Sequence, residues 1–359
     1  MTDPAPPPSG AAAPTEGRPT VQQILAKTQA FFAERGLDSP RADALLLVGA
    51  ALGLERLQLI LQHDRPLTDP ELDAVRERVR RRARREPTHL ILGERGFYTI
   101  DLKVIPGVLL PRPDTERLVE AALSALPRGE AAYVADVGCG SGAVGLTLAH
   151  ERPELRVYCT DVAPEPLACT KDNAARLGLG ERVAVLRGDL LSPIPESRPI
   201  DLVVSNPPYI RHGDIAGLDP EVRDWEPHLA LDGGPDGLEL YRRLLPEAAR
   251  RARHAVLVEI GWDQGPEVSA LFRAVGLTGV EVLKDYGGRD RVVRGWKAGS
   301  PWRPAGPPPV DEAPTLRAEP DRSPPTSLGA DPDALVVELF EEVADPGLAD
   351  LPVYTRDEG

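Results

Sequence analysis

The chain has 359 residues, and its 39 prolines and 33 glycines make up about a fifth of them, so part of the chain is not expected to join a packed core. The formal net charge is −14, of which −9 falls in residues 299–359, so neither part is basic enough for a general nucleic-acid-binding protein. No run approaches the roughly 18 apolar residues of a membrane span, and the N-terminus lacks a signal-peptide pattern, so we expect a cytoplasmic protein without a membrane segment. Three cysteines without metal-ligand spacing, Cys139, Cys159 and Cys169, argue against a disulfide framework and against a zinc site, and no bound metal is expected.

The N-terminal part predicts a small helical domain over residues 20–87, after a Pro/Ala-rich and disordered stretch over residues 1–19. Thr20 and Gln23 form a capping-box pattern, and apolar residues then recur at helical spacing until Gly36. Three further helical segments are predicted at residues 42–52, 54–63 and 69–85. A β-hairpin connector is predicted over residues 88–110, because Phe97–Val104 alternates apolar and polar residues as a half-buried strand does.

Residues 111–298 predict an α/β domain. Short runs rich in Val, Leu and Ile alternate with helix-length segments, which indicates a mainly parallel sheet. The runs are residues 133–137, 157–161, 183–186, 200–205 and 255–260, followed by an antiparallel pair at 280–284 and 291–296. Residues 299–359 contain 12 prolines and predict a disordered acidic tail, in which only Asp333–Val343 has the pattern of a short amphipathic helix.

A glycine loop follows the first of these strands. It reads Gly138-Cys139-Gly140-Ser141-Gly142 and precedes a helical run, the order in which backbone N–H groups can face a nucleotide-type cofactor. The Gly-x-Gly-x-Gly spacing differs from the dinucleotide fingerprint and favours S-adenosyl-L-methionine. The alternative is a tight turn that serves only helix packing.

Three residues at the ends of the next strands are candidate cofactor ligands. Asp161 is placed to accept both ribose hydroxyls, although a strand-end carboxylate or a helix cap would explain it too. Asp189 and Leu190 follow the third strand, where the adenine would lie, and Leu190 is expected to pack on its face.

The sequence Asn206-Pro207-Pro208-Tyr209 leaves the strand 200–205 and predicts a rigid pair of hydrogen-bond acceptors. The Asn206 side-chain oxygen and the Pro207 carbonyl would each accept one N–H of a planar NH₂ group and direct its nitrogen at a methyl donor. Tyr209 would form a wall of that pocket. A Pro-Pro turn that ends the strand, with Asn206 satisfying local backbone, is the alternative.

At these motifs the chain resembles the HemK/PrmC family of protein-(glutamine-N5) methyltransferases over about residues 20–297. The resemblance rests on Pro111-Arg112-Pro113-Asp114-Thr115-Glu116, Asn206 to Ile210, Glu226-Pro227 with Ala230 to Leu238, Tyr241-Arg242, Glu259-Ile260-Gly261 with Gln264, and Asp285 to Arg291. It implies a Rossmann-like, seven-stranded, class I S-adenosylmethionine-dependent methyltransferase domain with a helical substrate-binding domain and a hairpin connector. Many relatives have Trp where this chain has Leu190.

The resemblance also implies a substrate and roles for single residues. The substrate would be the glutamine of the Gly-Gly-Gln motif in class 1 peptide chain release factors, and the second product S-adenosyl-L-homocysteine. Gly138 to Gly142 with Asp161 take the cofactor roles, and Asn206 to Tyr209 bind the glutamine. Asn206 is expected to border the cofactor as well. No stable nucleic-acid partner is expected.

Other functions remain open at this point. A related enzyme could methylate a glutamine of a ribosomal protein. An adenine-N6 methyltransferase is also possible, because its adenine substrate would present a similar NH₂ group to the same four residues. A non-catalytic cofactor-binding module would leave Asn206 to Tyr209 without a purpose. Glu259 and Arg112 either border the site or form structural ion pairs.

Seven arginines crowd the predicted helix at 69–85, namely Arg76, Arg78, Arg80, Arg81, Arg82, Arg84 and Arg85. A solvated helix face explains such a run, and so does a surface for RNA or for an acidic partner. We hypothesise that this face meets an acidic surface of the release factor, so that charge reversal at Arg81, Arg82 and Arg85 weakens substrate binding.

Overall fold

The computed structural model describes residues 17–303, which divide into two compact units, residues 17–91 and 92–303. The predicted tail helix over Asp333–Val343 lies outside the described residues, as does most of the two segments predicted to be disordered.

The first unit is helical, as predicted. Its helices are α1 (Val21–Glu34), α2 (Pro40–Leu52), α3 (Arg56–Leu61), α4 (Asp69–Ala83) and α5 (Thr88–Leu92). The predicted capping box starts α1, since Thr20 Oγ1 accepts from the Gln23 backbone N–H and Gln23 Oε1 accepts from the Thr20 N–H. Helix α2 packs against both α1 and α4 around fully buried apolar side chains such as Leu47 and Val75.

The three arginines chosen for charge reversal have their guanidinium groups bound within the helical unit. Arg82 is buried and forms an ion pair of 2.8 Å with Asp43. Arg85 donates to the backbone carbonyl oxygens of Arg35 and Gly36, just after α1. Arg81 donates two hydrogen bonds to the Glu86 carboxylate. Charge reversal at these positions would therefore disturb the helical unit itself, so it cannot isolate an effect on a partner.

The second unit begins with the predicted hairpin. Strands β1 (Glu94–Phe97) and β2 (Ile100–Lys103) pair antiparallel, with Phe97 opposite Ile100. The expectation of one continuous strand over 97–104 is wrong, because the chain turns at Tyr98, whose φ is +54°. A tyrosine is rare in this left-handed region, so nothing in the local sequence indicates the turn.

A seven-stranded sheet forms the centre of this unit within the described residues, in the order β5-β4-β3-β6-β7-β9-β8. The strands are β3 (Ala132–Val137), β4 (Leu155–Asp161), β5 (Val183–Arg187), β6 (Ile200–Ser205), β7 (Ala252–Glu259), β8 (Thr278–Lys284) and β9 (Asp290–Trp296). The helices are α6 (Glu116–Ala125), α7 (Ala143–Glu151), α8 (Pro164–Arg176), α9 (Pro220–Arg223), α10 (Glu239–Arg251) and α11 (Gly265–Ala274). Strands β3 to β7 are parallel and β9 runs antiparallel between β7 and β8, which confirms the predicted sheet.

Both faces of the sheet are buried. Successive residues of β6 enter different core clusters, Leu202 and Val204 on one side and Val203 on the other. Such burial explains why the parallel strands appear as near-continuous apolar runs. Beyond β9, in the segment predicted to belong to the tail, the Trp302 ring stacks on His254 with 3.8 Å between ring centroids.

The buried ion pair of the helical unit generates a stability prediction. We expect Arg82→Ala to destabilise this unit by about 3 kcal/mol, because it removes the cation that is paired with the buried Asp43 carboxylate and leaves that charge uncompensated. Arg80→Ala, which removes a surface pair with Glu77, should cost less than about 1 kcal/mol. Hydrogen exchange of α2 and α4 amides in the full chain measures both. Equal losses in the two variants would contradict a structural role of Arg82.

Candidate active site

The site lies where β3 and β6 end side by side. Strand β3 pairs in parallel with β4 on one side and with β6 on the other, and Val137 is the register partner of Ser205. The glycine loop leaves β3 at this edge, and Asn206 to Tyr209 leave β6. Because the chain order of the strands reverses between β3 and β6, the edge has the crevice in which open α/β sheets bind ligands.

The glycine loop has a backbone that only glycine adopts easily. Gly138, Gly140 and Gly142 have φ of 72°, 59° and 85°. A Cβ at Gly142 would lie 2.6 Å from Leu146 Cδ1, whereas a Cβ at Gly138 or Gly140 would meet nothing within 4 Å. Gly142 is therefore required for the packing of α7, whereas Gly138 and Gly140 leave open space beside the backbone.

The side chains of the loop point into the protein. Cys139 is buried, with its sulfur 3.5 Å from the Thr170 hydroxyl, and Ser141 is 3% exposed. Behind the loop, Asp136 Oδ2 accepts the Gly145 N–H at 2.8 Å, and burial raises the pKa of this carboxyl to about 7. The loop therefore faces the crevice mainly with backbone.

A cavity of about 330 Å³ opens beside the loop, within the range of ligand sites. Its lining includes six of the predicted cofactor residues, namely Gly138, Gly140, Asp161, Asp189, Leu190 and Asn206. Cys139 and Ser141 line a second cavity of about 40 Å³, which shares Gly138, Gly140 and Asn206 with the first. Gly142 lines neither.

Asp161 has a structural role as well as a place in the cavity wall. Its Oδ2 accepts the Gly140 N–H at 3.1 Å and its Oδ1 accepts the Ala163 N–H at 3.1 Å. Burial raises the pKa of this carboxyl. Each oxygen keeps a further lone pair, so the carboxylate can hold the loop and still accept from a ligand.

The wall of the cavity contains an ion pair that the sequence did not predict. The Asp189 carboxylate lies 2.5 Å from an Arg243 guanidinium nitrogen, and both residues line the cavity. Leu190 beside it has a φ of +50°, a conformation that costs a non-glycine residue about 1 kcal/mol or more. Backbone strain of this kind is concentrated at ligand sites and other functional sites.

The loop after β6 is fixed on several sides. Ser205 Oγ donates to the Val137 carbonyl at 2.7 Å, and Gln264 Nε2 donates to the Tyr209 carbonyl at 3.0 Å. Asn206, Pro207 and Pro208 line the cavity, whereas the Tyr209 side chain lies outside its lining. The Tyr209 hydroxyl is 3.5 Å from Glu259 Oε1 instead, and burial raises the pKa of this phenol.

Asn206 is held by a residue to which the sequence interpretation gave no role. Its Nδ2 donates to Thr115 Oγ1 at 3.2 Å, and Thr115 is 4% exposed just before α6. The two residues are 91 positions apart, so no local pattern connects them. The only signal was the position of Thr115 within the segment 111–116 quoted above.

Glu259 and Arg112, both left open by the sequence, have different surroundings. Glu259 is 1% exposed at the end of β7, and burial raises its pKa to about 7, although a hydrogen bond from Thr115 acts in the opposite direction. Arg112 lines the smaller cavity and pairs with the buried Glu226 at 2.5 Å. Glu259 therefore lies beside the Tyr209 hydroxyl, and Arg112 is part of an ion pair that borders the smaller cavity.

Within residues 17–303, no helix combines the length and apolar character needed to span a bilayer. No group of three or more His, Cys, Asp or Glu side chains in this part of the chain is arranged to hold a metal ion.

Comparison with known proteins identifies both units. Residues 23–93 match the model of the PrmC N-terminal domain, and residues 116–218 match that of the methyltransferase small domain. The release factor glutamine methyltransferase of Moorella thermoacetica is 44% identical over 275 residues, which cover 76% of this chain and 96% of the relative.

Two further relatives carry the same name. That of Caulobacter vibrioides is 45% identical, covering 74% of this chain and 92% of the relative. That of Geobacter sulfurreducens is 41% identical, covering 77% and 96%. With this identity over nearly the whole length of each relative, the chain belongs to the family of release factor glutamine methyltransferases.

Proposed function

We propose that the protein transfers a methyl group from S-adenosyl-L-methionine to the side-chain amide nitrogen of the glutamine in the Gly-Gly-Gln motif of class 1 peptide chain release factors. The observation that carries this proposal is the hydrogen bond from Asn206 Nδ2 to Thr115. This bond uses one N–H of the Asn206 amide, and the acceptor Oδ1 is available for a substrate N–H.

The residues around the cavity fit the cofactor. The open space beside Gly138 and Gly140 lets a ligand approach their backbone, and Asp161 has lone pairs to spare for hydroxyl groups. Asp189 and Leu190 would hold the adenine end, with Arg243 keeping the Asp189 carboxylate in place. When bound, S-adenosyl-L-methionine supplies an electrophilic methyl group on a sulfonium sulfur.

The chain contributes positioning more than acid–base chemistry. An amide nitrogen is a poor nucleophile, because its lone pair is delocalised into the carbonyl group. Asn206 Oδ1 and the Pro207 carbonyl would each accept one N–H of the glutamine amide, which orients the nitrogen and polarises both bonds as it is alkylated. The Pro207-Pro208 pair restricts the backbone, and the bond from Gln264 to the Tyr209 carbonyl fixes the turn that follows.

The proposed substrate is tested by mass spectrometry of a full-length release factor after incubation with the protein and S-adenosyl-L-methionine. We expect a mass increase of one CH₂ unit on the Gly-Gly-Gln glutamine. Parallel reactions with ribosomes and with duplex DNA test the two rival substrates. Incorporation into a ribosomal protein or an adenine, without change in the release factor, would overturn the proposed substrate.

For Asn206→Ala we expect transfer to fall by about a hundredfold or more, because one of the two acceptors is lost. Binding of S-adenosyl-L-homocysteine, measured by calorimetry, should change by less than about threefold, since the glycine loop and Asp161 are untouched. Retention of turnover in this variant would contradict the positioning role.

For Asp161→Ala we expect the dissociation constant of S-adenosyl-L-homocysteine to rise about tenfold to a hundredfold, the effect of losing hydrogen bonds to a charged acceptor. The matched control is Asp172→Ala, which removes a surface carboxylate that is paired with Lys103 and lies in α8, the helix that follows Asp161. Calorimetry compares the two. Similar affinities in both variants would exclude Asp161 as a ligand.

A further inference from the structure

The larger cavity has a wall without aromatic rings. Among the described residues that line it, none is Phe, Tyr, Trp or His, and Arg243 is the only cation. Three of these lining residues are acidic, namely Asp161, Asp189 and Asp232. A nucleotide base is a flat aromatic ring, and proteins stack such rings on aromatic side chains or on the planar guanidinium group of arginine. In this wall the guanidinium of Arg243 is the group suited to that contact.

Helix α10 presents Arg243 to the cavity between two leucines. Leu240, Arg243 and Leu244 all line the cavity, and their spacing of three and four residues places them on one face of the helix. The neighbouring Arg242 does not line the cavity and pairs with Asp236 instead. The position of Arg243 on the helix therefore places its guanidinium in the cavity wall.

The Asp189 carboxylate holds this guanidinium in place. Its Oδ2 accepts a hydrogen bond from Arg243 Nη2 at 2.5 Å, and the two residues are 54 positions apart, one after β5 and the other on α10. Both side chains are about half-exposed, so a ligand in the cavity can reach the pair. A guanidinium bound at its edge by a carboxylate still has two flat faces for contacts of another kind.

A similar ion pair lies two helical turns further along α10. Arg250 pairs with Glu196 at 2.8 Å, again across 54 positions, and neither residue lines the cavity. Both pairs therefore join α10 to the connection between β5 and β6. Pairs of this exposure contribute little to stability. What distinguishes Arg243 from Arg250 is its access to the cavity.

We propose that Arg243 is a cofactor-binding residue whose guanidinium, held by Asp189, stacks on the adenine ring of S-adenosyl-L-methionine. The inference deepens the proposed function and rests on it for the identity of the ligand. A guanidinium on the face of an aromatic ring gains cation–π attraction as well as packing. The leucines of the wall remove water from the base, but apolar contacts are non-directional, so the planar group sets the orientation of the ring.

The carboxylate of the methionyl part is the other group that a cation could bind. Two observations favour the base. Arg243 already has an anionic partner in Asp189. In addition, Asp189 follows β5 and Asn206 follows β6, and these strands are three strand spacings apart in the sheet, about 14 Å. The methionyl part is attached to the same sulfur as the methyl group, so it stays near Asn206 and leaves the region of Asp189 to the base.

The first test measures the binding of two ligands by calorimetry. S-adenosyl-L-homocysteine contains the base and the amino-acid part, whereas 5′-methylthioadenosine contains the base alone. For Arg243→Ala we expect the dissociation constants of both to rise by the same factor, about threefold to thirtyfold, because the lost contact is to the base. Arg250→Ala, the matched control, should change both by less than about twofold.

Arg243→Lys separates stacking from charge. Lysine keeps the positive charge and a donor for Asp189 but lacks the planar group, so most of the loss should remain. Full affinity in this variant would overturn the stacking role. A loss confined to S-adenosyl-L-homocysteine would overturn the base as the ligand of Arg243. Unchanged affinities in Arg243→Ala, as in Arg250→Ala, would overturn the inference altogether.

A second test observes the guanidinium directly. The ¹⁵N–¹H signal of Arg243 Nε, assigned by its loss in Arg243→Lys, should move upfield when 5′-methylthioadenosine is added to the full chain, because a stacked ring shields the protons above its face. The Arg250 signal, assigned in the same way, should not move. An Arg243 signal that stays in place while the ligand binds would contradict stacking.

These measurements separate the inference from the proposed function. Normal binding of both ligands without transfer to the release factor would reject the proposed substrate and leave the role of Arg243 intact. Full transfer and full affinity in Arg243→Ala would reject that role and leave the substrate in place. Failure of the unchanged protein to bind either ligand would overturn both.

Discussion

The pairing of β3 with strands on both of its sides is the constraint on which the site depends. Strands β4 and β6 flank β3 in parallel, so the loops after β3 and β6 emerge at one edge and must share the space there. The loop after β3 lines the crevice with Gly138 and Gly140, and the loop after β6 lines it with Asn206, Pro207 and Pro208. A crevice shared by two such loops can hold a ligand against both of them.

Buried acids support this edge from behind. Asp136 accepts a hydrogen bond from the Gly145 N–H behind the glycine loop, Glu259 lies beside the Tyr209 hydroxyl, and Glu226 pairs with Arg112. Burial raises the pKa of all three carboxyls. A carboxyl out of contact with water stays ionised only when neighbouring donors or cations stabilise its charge, so each of these acids constrains the orientation of the groups around it. The rigidity of the site thus comes from polar contacts as much as from its two prolines.

The sequence predicted the parts of the fold whose signals are local. The central strands β3, β6 and β7 were recognisable because their apolar runs are buried on both faces, and the capping box at Thr20 located the start of α1. The turn at Tyr98 was missed because its left-handed backbone occurs at a residue that rarely adopts it. Thr115 was missed as a partner of Asn206 because their contact spans 91 positions, and a hydrogen bond over that separation leaves no trace in periodicity.

Strand β7 connects the site to the described end of the chain. Glu259 is the last residue of the strand and lies at the site. His254, near the start of the same strand, stacks against the ring of Trp302. A protein shortened to the apparent limit of its catalytic domain, near residue 298, would keep every atom of the crevice yet lose this stacked ring and leave an indentation in its surface. A truncation or a C-terminal tag should therefore be placed after Trp302, so that the stacking of its ring on His254 is kept.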